Sequence, residues 1–166
     1  MSERQKLKSL TSIPRSAGPV LQVEESIRSE IAAISPFVDR LMLFIQRFRC
    51  VPGSEIDVAG SLREALANAV VHGNHEDPHK YVYVGCRCIP NEEVSIVVRD
   101  EGQGFGTNAV PDPTAADRIE LSHGRGIYLM KALMDEVRFE RGGCVVYMRK
   151  CAPSNKDTHP DPRALF

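Results

Sequence analysis

Along most of the chain, apolar residues either alternate with polar ones or recur with a helical period, and the two periods predict the elements in order. Val20 to Glu30 reads as a first strand. Ser35 followed by Pro36 marks a helix start, with the proline where no amide donor is needed. Phe37, Leu41, Phe44, Ile45 and Phe48 then fall at offsets of 0, 4, 7, 8 and 11, an amphipathic helix. A second helix is predicted over about 55 to 72, with Leu62, Ala65, Leu66, Ala69 and Val70 as its apolar stripe and Gly73 ending it. Val82, Val84, Cys86 and Cys88 alternate with Tyr81, Tyr83 and Arg87. Beyond Pro90-Asn91-Glu92-Glu93, Val94, Ile96 and Val98 alternate with Ser95 and Arg99, which makes a hairpin. A helix over about 126 to 136 follows a glycine-rich polar stretch, and Val137 to Arg141 and Cys144 to Lys150 form a last hairpin about Gly142-Gly143. The sum is an α/β (α+β) two-layer sandwich, a mixed or antiparallel sheet with helices on one face.

Residues 1–18 and 151–166 mix charge, Ser and Pro without periodicity and read as flexible tails around one domain at 19–150. Twenty-one basic against twenty-two acidic residues leave a formal charge of -1, too little field to hold a phosphate backbone, so no direct contact with nucleic acid is expected. No run approaches the roughly 20 apolar residues of a membrane span, and the polar start lacks the apolar core of a secretory signal. A cytoplasmic protein without membrane contact is expected. Five cysteines with no CxxC pair fit reduced thiols used as core filling, and Cys86 and Cys88, on one face of a strand, read as buried side chains rather than a redox pair. His72, His75 and His79 beside Glu76 and Asp77 read as a polar loop rather than a zinc site.

Three features carry chemistry. Glu64, Asn68 and His72 are spaced four apart and lie within roughly 80° of one another on the second helix, away from its apolar stripe. A carboxylate there can take a proton from an attacking hydroxyl, and an amide oxygen is a hard ligand suited to Mg²⁺. Asp100 then ends a strand and leads into Gly102, Gly104 and Gly106, an acceptor for an exocyclic amine followed by backbone that a ligand can approach closely. Finally, Gly124-Arg125-Gly126 stands at a helix start, where free amides, the helix dipole and a cation favour phosphate. Taken singly, these also fit a solvated helix face, an ordinary turn and a glycine N-cap.

In this order the three resemble the Bergerat-type ATP site of the GHKL superfamily, which includes gyrase and the histidine kinases. Glu64-Ala-Leu-Ala-Asn68-Ala-Val-Val-His72 looks like its N-box, Asp100-x-Gly102-x-Gly104 its first glycine box and Gly124-Arg125-Gly126 its second. Within the superfamily the chain is most similar to the bacterial anti-sigma-factor serine kinases: the segment between the glycine boxes is short, Gly126-Ile-Tyr-Leu-Met-Lys-Ala-Leu-Met-Asp135 resembles that group's helix, and no phosphoacceptor-histidine hairpin precedes the domain.

That resemblance implies a Bergerat fold and a Mg-ATP-dependent serine/threonine protein kinase that sequesters a sigma factor, phosphorylates an anti-sigma-factor antagonist on serine, and pairs as a homodimer. The alternatives are a non-catalytic ATP-gated binding module and an ATPase subunit of a larger signalling assembly. By motif, Glu64 would be the general base, Asn68 the Mg²⁺ ligand and Asp100 the adenine anchor. Gly102, Gly104, Phe105 and Gly106 would shape the base pocket, with His72 and Cys144 beside the nucleotide. Gly124, Arg125 and Gly126 would line the phosphates, and residues 107–123 would form a mobile lid. One departure is Cys144 after Gly143, where the family commonly has threonine.

Overall fold

The structure, a computed structural model, describes residues 19–104 and 122–153, with the backbone alone at 122–124. Five strands form one antiparallel sheet: β1 (Leu21–Arg28), β2 (Tyr81–Ile89), β3 (Glu93–Arg99), β4 (Glu136–Glu140) and β5 (Val145–Cys151), in the order β1-β2-β3-β5-β4. Three helices, α1 (Ile31–Arg47), α2 (Glu55–Ala67) and α3 (Ser122–Leu133), lie against one face. This is the predicted α+β sandwich, with the sheet wholly antiparallel.

Alternation decides which side chains meet the helices. Val82, Val84, Cys86 and Cys88 of β2, Val94, Ile96 and Val98 of β3, and Val146 and Met148 of β5 form the buried floor. Against it pack Phe37, Leu41 and Ile45 of α1, Leu62, Ala65 and Leu66 of α2, and Ala69 and Val70 just beyond it, the whole stripe predicted for the second helix. Each fully buried leucine or isoleucine stabilises the fold by about 2 kcal/mol, enough to set the orientation of both helices. No helix among the described residues is long and apolar enough to cross a membrane.

Several boundaries depart from the pattern. Helix α1 starts at Ile31, so Pro36 lies inside it instead of at its first turn. The proline removes a bond to the Ala32 carbonyl, a loss offset by the burial of Ile34 in the extra turn. Phe48, the last member of the predicted stripe, is the C-cap and 36% exposed. The second helix is α-helical only to Ala67 and widens into a π-helical turn over Asn68–Gly73, closed by the Asn74 amide on the Ala69 carbonyl at 2.8 Å. Helix α3 starts at Ser122, four residues earlier than its apolar period indicates, because the glycines at 124 and 126 carry no pattern.

The expectation of five reduced thiols is corrected. Cys50 and Cys88, both fully buried, form a disulfide with Cα atoms 5.4 Å apart. Cys50 lies just after α1, where its amide donates to the Ile45 carbonyl, and this tight turn carries it to β2 across 38 residues of sequence. Cys86, Cys144 and Cys151 are free thiols. Burial pushes Cys86 up to about 12, an inert thiol that fills the core as expected.

Lys150 breaks the apolar alternation of β5. It points inward, 4% exposed, and donates to Asp57 Oδ2 at 2.8 Å in the first turn of α2 and to the Leu133 carbonyl at the end of α3. One cation thus meets a carboxylate and the negative end of a helix dipole.

Candidate functional site

Helix α2 and the π-helical turn that continues it position the first group. With its apolar stripe buried on the sheet, Glu64, Asn68 and His72 are left half-buried on the side facing α3 and the end of β3. Glu64 stands against Gly126 of α3: a Cβ at residue 126 would lie 2.6 Å from Glu64 Oε2 and 3.5 Å from Asn68 Nδ2. The missing side chain leaves the Glu64 carboxylate room against α3. Among the described residues the Asn68 backbone amide closes the helix on the Glu64 and Ala65 carbonyls, while no hydrogen bond engages the side chains of Glu64 and Asn68, so a carboxylate and an amide oxygen are uncommitted at this point.

Asp100 follows directly on β3, its amide donating to the Cys144 carbonyl at 3.0 Å just before β5. Its carboxylate lies between two glycines. A Cβ on Gly73 would come within 2.4 Å of it, and one on Gly102 within 2.3 Å of the Gly73 carbonyl. The Gly102 amide donates to Asp100 Oδ1 at 2.8 Å. Cys144 Sγ has two acceptors in reach, the Gly102 carbonyl at 3.3 Å and Asp100 itself. Burial raises the Asp100 carboxyl above its usual value, against the Gly102 amide, the Cys144 thiol and the nearby Lys80 ammonium, which pull it down. Burial and the Asp100 charge together raise the Cys144 thiol, so it stays protonated at neutral pH. Gly104 takes a φ of +75° and backs onto the β4–β5 turn, where a Cβ would meet the Gly142 carbonyl at 2.8 Å.

These groups open on one cavity of about 520 Å³, the size of a small-molecule site. Asn68, His72, Asp100, Gly102, Gly104 and Cys144 line it. Glu64 and Gly126 meet beside it without lining it, and Arg125 is exposed. Gly124 belongs to the first turn of α3, so the glycine pair lies within a helix rather than ahead of it. Phe105, Gly106 and residues 107–121 of the expected lid lie outside the described residues, while Ser122 and His123 open α3.

Several lining residues were not singled out from sequence. In sequence Gly73 reads only as a helix terminator, yet its missing side chain is what admits Asp100. His75, whose sequence context is that of a polar loop, and Lys80, which belongs to no motif, line the same cavity. The apolar walls come from Ile127 of α3, Phe139 of β4 and Val98 and Val146 of the sheet. They are the cavity-side ends of ordinary core stripes, which sequence does not separate from the rest of the core.

An acceptor with a cation nearby at one end, apolar walls between, and the N-terminal turns of α3 beside the other suit a flat, amine-bearing ring joined to an anionic group, with the Glu64 carboxylate and Asn68 amide oxygen there able to take a proton or a cation. The profile of histidine kinase-like ATPase domains matches residues 27–150. The chain is 32% identical over 101 residues to an anti-sigma F factor of Oceanobacillus iheyensis, covering 58% of this chain and 68% of that one. It is 29% identical over 136 residues to an anti-sigma F factor of Geobacillus thermodenitrificans, covering 79% and 83%. A third, from Heyndrickxia coagulans, is 33% identical over 92 residues, covering 52% and 63%.

Proposed function

Because the chain belongs to the histidine kinase-like ATPase domain family, we propose that it is a Mg-ATP-dependent serine/threonine protein kinase that acts as an anti-sigma factor and phosphorylates its antagonist on serine. The observation that carries this reading is the pairing of Glu64 with Gly126: a free carboxylate held against the first turns of α3, one helical turn from the amide of Asn68. Similarity to proteins named anti-sigma F factors supports a sigma factor as the sequestered partner.

In this reading the adenine amine donates to Asp100, with Gly102, Gly104, His72 and Cys144 beside the base. Gly124, Arg125 and Gly126 receive the phosphates at the positive end of α3. Asn68 offers an uncommitted hard oxygen that fits Mg²⁺, which when bound neutralises phosphate charge. Glu64 accepts the proton of a serine hydroxyl as that oxygen bonds to the γ-phosphorus and the bond to ADP breaks. A new phosphate at the antagonist's contact surface then disfavours its binding by charge and desolvation. A sigma factor works in the cytoplasm, where disulfides are uncommon, so the Cys50–Cys88 bridge is the feature in tension with this location.

The test captures partners from a lysate on immobilised protein with Mg-ADP, then adds Mg²⁺ and γ-labelled ATP, with wild type and Glu64→Ala in parallel. Label on serine of a small captured protein, absent with Glu64→Ala, is expected. Captured partners that wild type leaves unlabelled would end the kinase claim and leave an ATP-gated binding module.

A further inference from the structure

Asn74 follows the π-helical turn and is completely buried, yet it does not line the cavity. A buried primary amide is costly unless it is bonded on both sides. Here both sides are used. Asn74 Nδ2 donates to the Tyr81 carbonyl at 3.0 Å, where β2 begins, and Asn74 Oδ1 accepts from the Glu101 amide at 2.8 Å. Its backbone amide closes the turn on Ala69. The side chain can face only one way, because the Tyr81 carbonyl needs a donor and the Glu101 amide an acceptor. Neither aspartate nor a hydroxyl supplies both at that reach.

The two segments joined by this amide are the ones that enclose the base anchor. Gly73 precedes Asn74, Glu101 follows Asp100, and the Asp100 carboxyl sits between Gly73 and Gly102 with no room for a methyl group on either. We infer that Asn74 is a positioning residue for base recognition: its carboxamide holds the Glu101 amide, and so aims the Asp100 carboxylate at the exocyclic amine of the bound purine. The inference rests on the nucleotide reading above and adds to it the residue that sets base selectivity from outside the pocket. Loss of the link releases the Asp100 loop from the turn while leaving the apolar walls and the Glu64–Gly126 end in place.

The experiment compares the affinity of wild type, Asn74→Ala and Val58→Ala for ATP and for inosine triphosphate, whose purine carries a carbonyl in place of the amine. Val58 is fully buried in α2 away from the cavity and serves as a control for general loss of stability. Asn74→Ala is expected to weaken ATP about tenfold and inosine triphosphate much less, so that discrimination collapses. Val58→Ala should melt lower with discrimination intact. Equal weakening of both nucleotides by Asn74→Ala, or no change, overturns the inference while the nucleotide reading stands. Failure of wild type to bind ATP sinks that reading and this inference with it. Should Asn74→Ala not fold, amide hydrogen exchange in wild type decides. Glu101 is an exposed residue, and its amide is expected to be protected by Asn74; exchange at an unprotected rate overturns the inference.

Discussion

Lys150 Nζ lies 2.8 Å from Asp57 Oδ2, joining the last strand to the first turn of α2 across 93 residues of sequence. The same ammonium donates to the carbonyl of Leu133, so a single side chain fixes the start of α2 and the end of α3. Those two helices carry Glu64 and Gly126, and their relative position decides the Glu64–Gly126 contact.

Lys150→Met should therefore lower stability by about 2 kcal/mol, less than the ~3 to 5 of a fully buried broken pair because the Asp57 side chain is 37% exposed. The melting temperature is expected to fall by roughly 5 °C. A calorimetric comparison with Asp57→Asn and the double variant checks it: additive losses would mean the two side chains do not act together.

Gly126→Ala separates packing from chemistry. A methyl group at this position meets the end of the flexible Glu64 side chain at 2.6 Å, so Glu64 swings aside while the fold survives. Alanine is also the better helix former by up to about 1 kcal/mol. The variant should melt at or above wild type and, on the kinase proposal in which Glu64 is the base, lose phosphoryl transfer by about 10² or more as that carboxylate leaves its position. A lowered melting temperature with normal transfer would contradict the contact.

Asp100→Asn should weaken ATP about tenfold or more while stabilising the empty protein at neutral pH. The sign follows from the raised carboxyl of Asp100: its folded value lies above the ordinary 3.8, so the folded state holds the proton more tightly than the unfolded one. Stability from this group is therefore full below 3.8 and falls as pH rises through the window just above it. Melting curves of both proteins should differ at pH 7 and converge near pH 4. A variant less stable than wild type at pH 7 would show that the ionised carboxylate is not a burden.

Thiol counting tests the cysteine assignment. Denatured but unreduced protein should react with three equivalents of alkylating agent, and reduced protein with five. Bridging a separation of 38 residues stabilises by about 4 kcal/mol in the chain-entropy picture, so reduction or Cys50→Ser should lower the melting temperature by on the order of 10 °C. In the native state Cys144 alone is only half-buried and should label slowly at neutral pH, more slowly still with ATP. Five reactive thiols before reduction would return the protein to the all-reduced state its sequence suggests.

Residues whose role follows from a period were readable in advance. The α2 stripe, both hairpins and the common face of Glu64, Asn68 and His72 rest on spacings that geometry preserves. Other residues are defined by contacts between distant segments. The π-helical turn differs from an α-helix over only six residues, too few to shift an apolar period. Lys150 occupies a position where alternation calls for an apolar side chain, and its partners at 57 and 133 share no local pattern with it. Pro36 obeys a local preference overridden by the burial of Ile34. Cys50 and Cys88 meet only because the turn after α1 folds back on β2, and Asn74 looks like any loop asparagine until Tyr81 and Glu101 are placed around it.

The bridge between Cys50 and Cys88 also turns the stretch bearing Glu64, Asn68 and His72 into a covalent ring. A protease that nicks the exposed segment around His75 and Glu76 would cut the backbone without dividing the molecule. The nicked protein would travel as one species until a reductant separated it, with the two halves of the site still held to the same sheet.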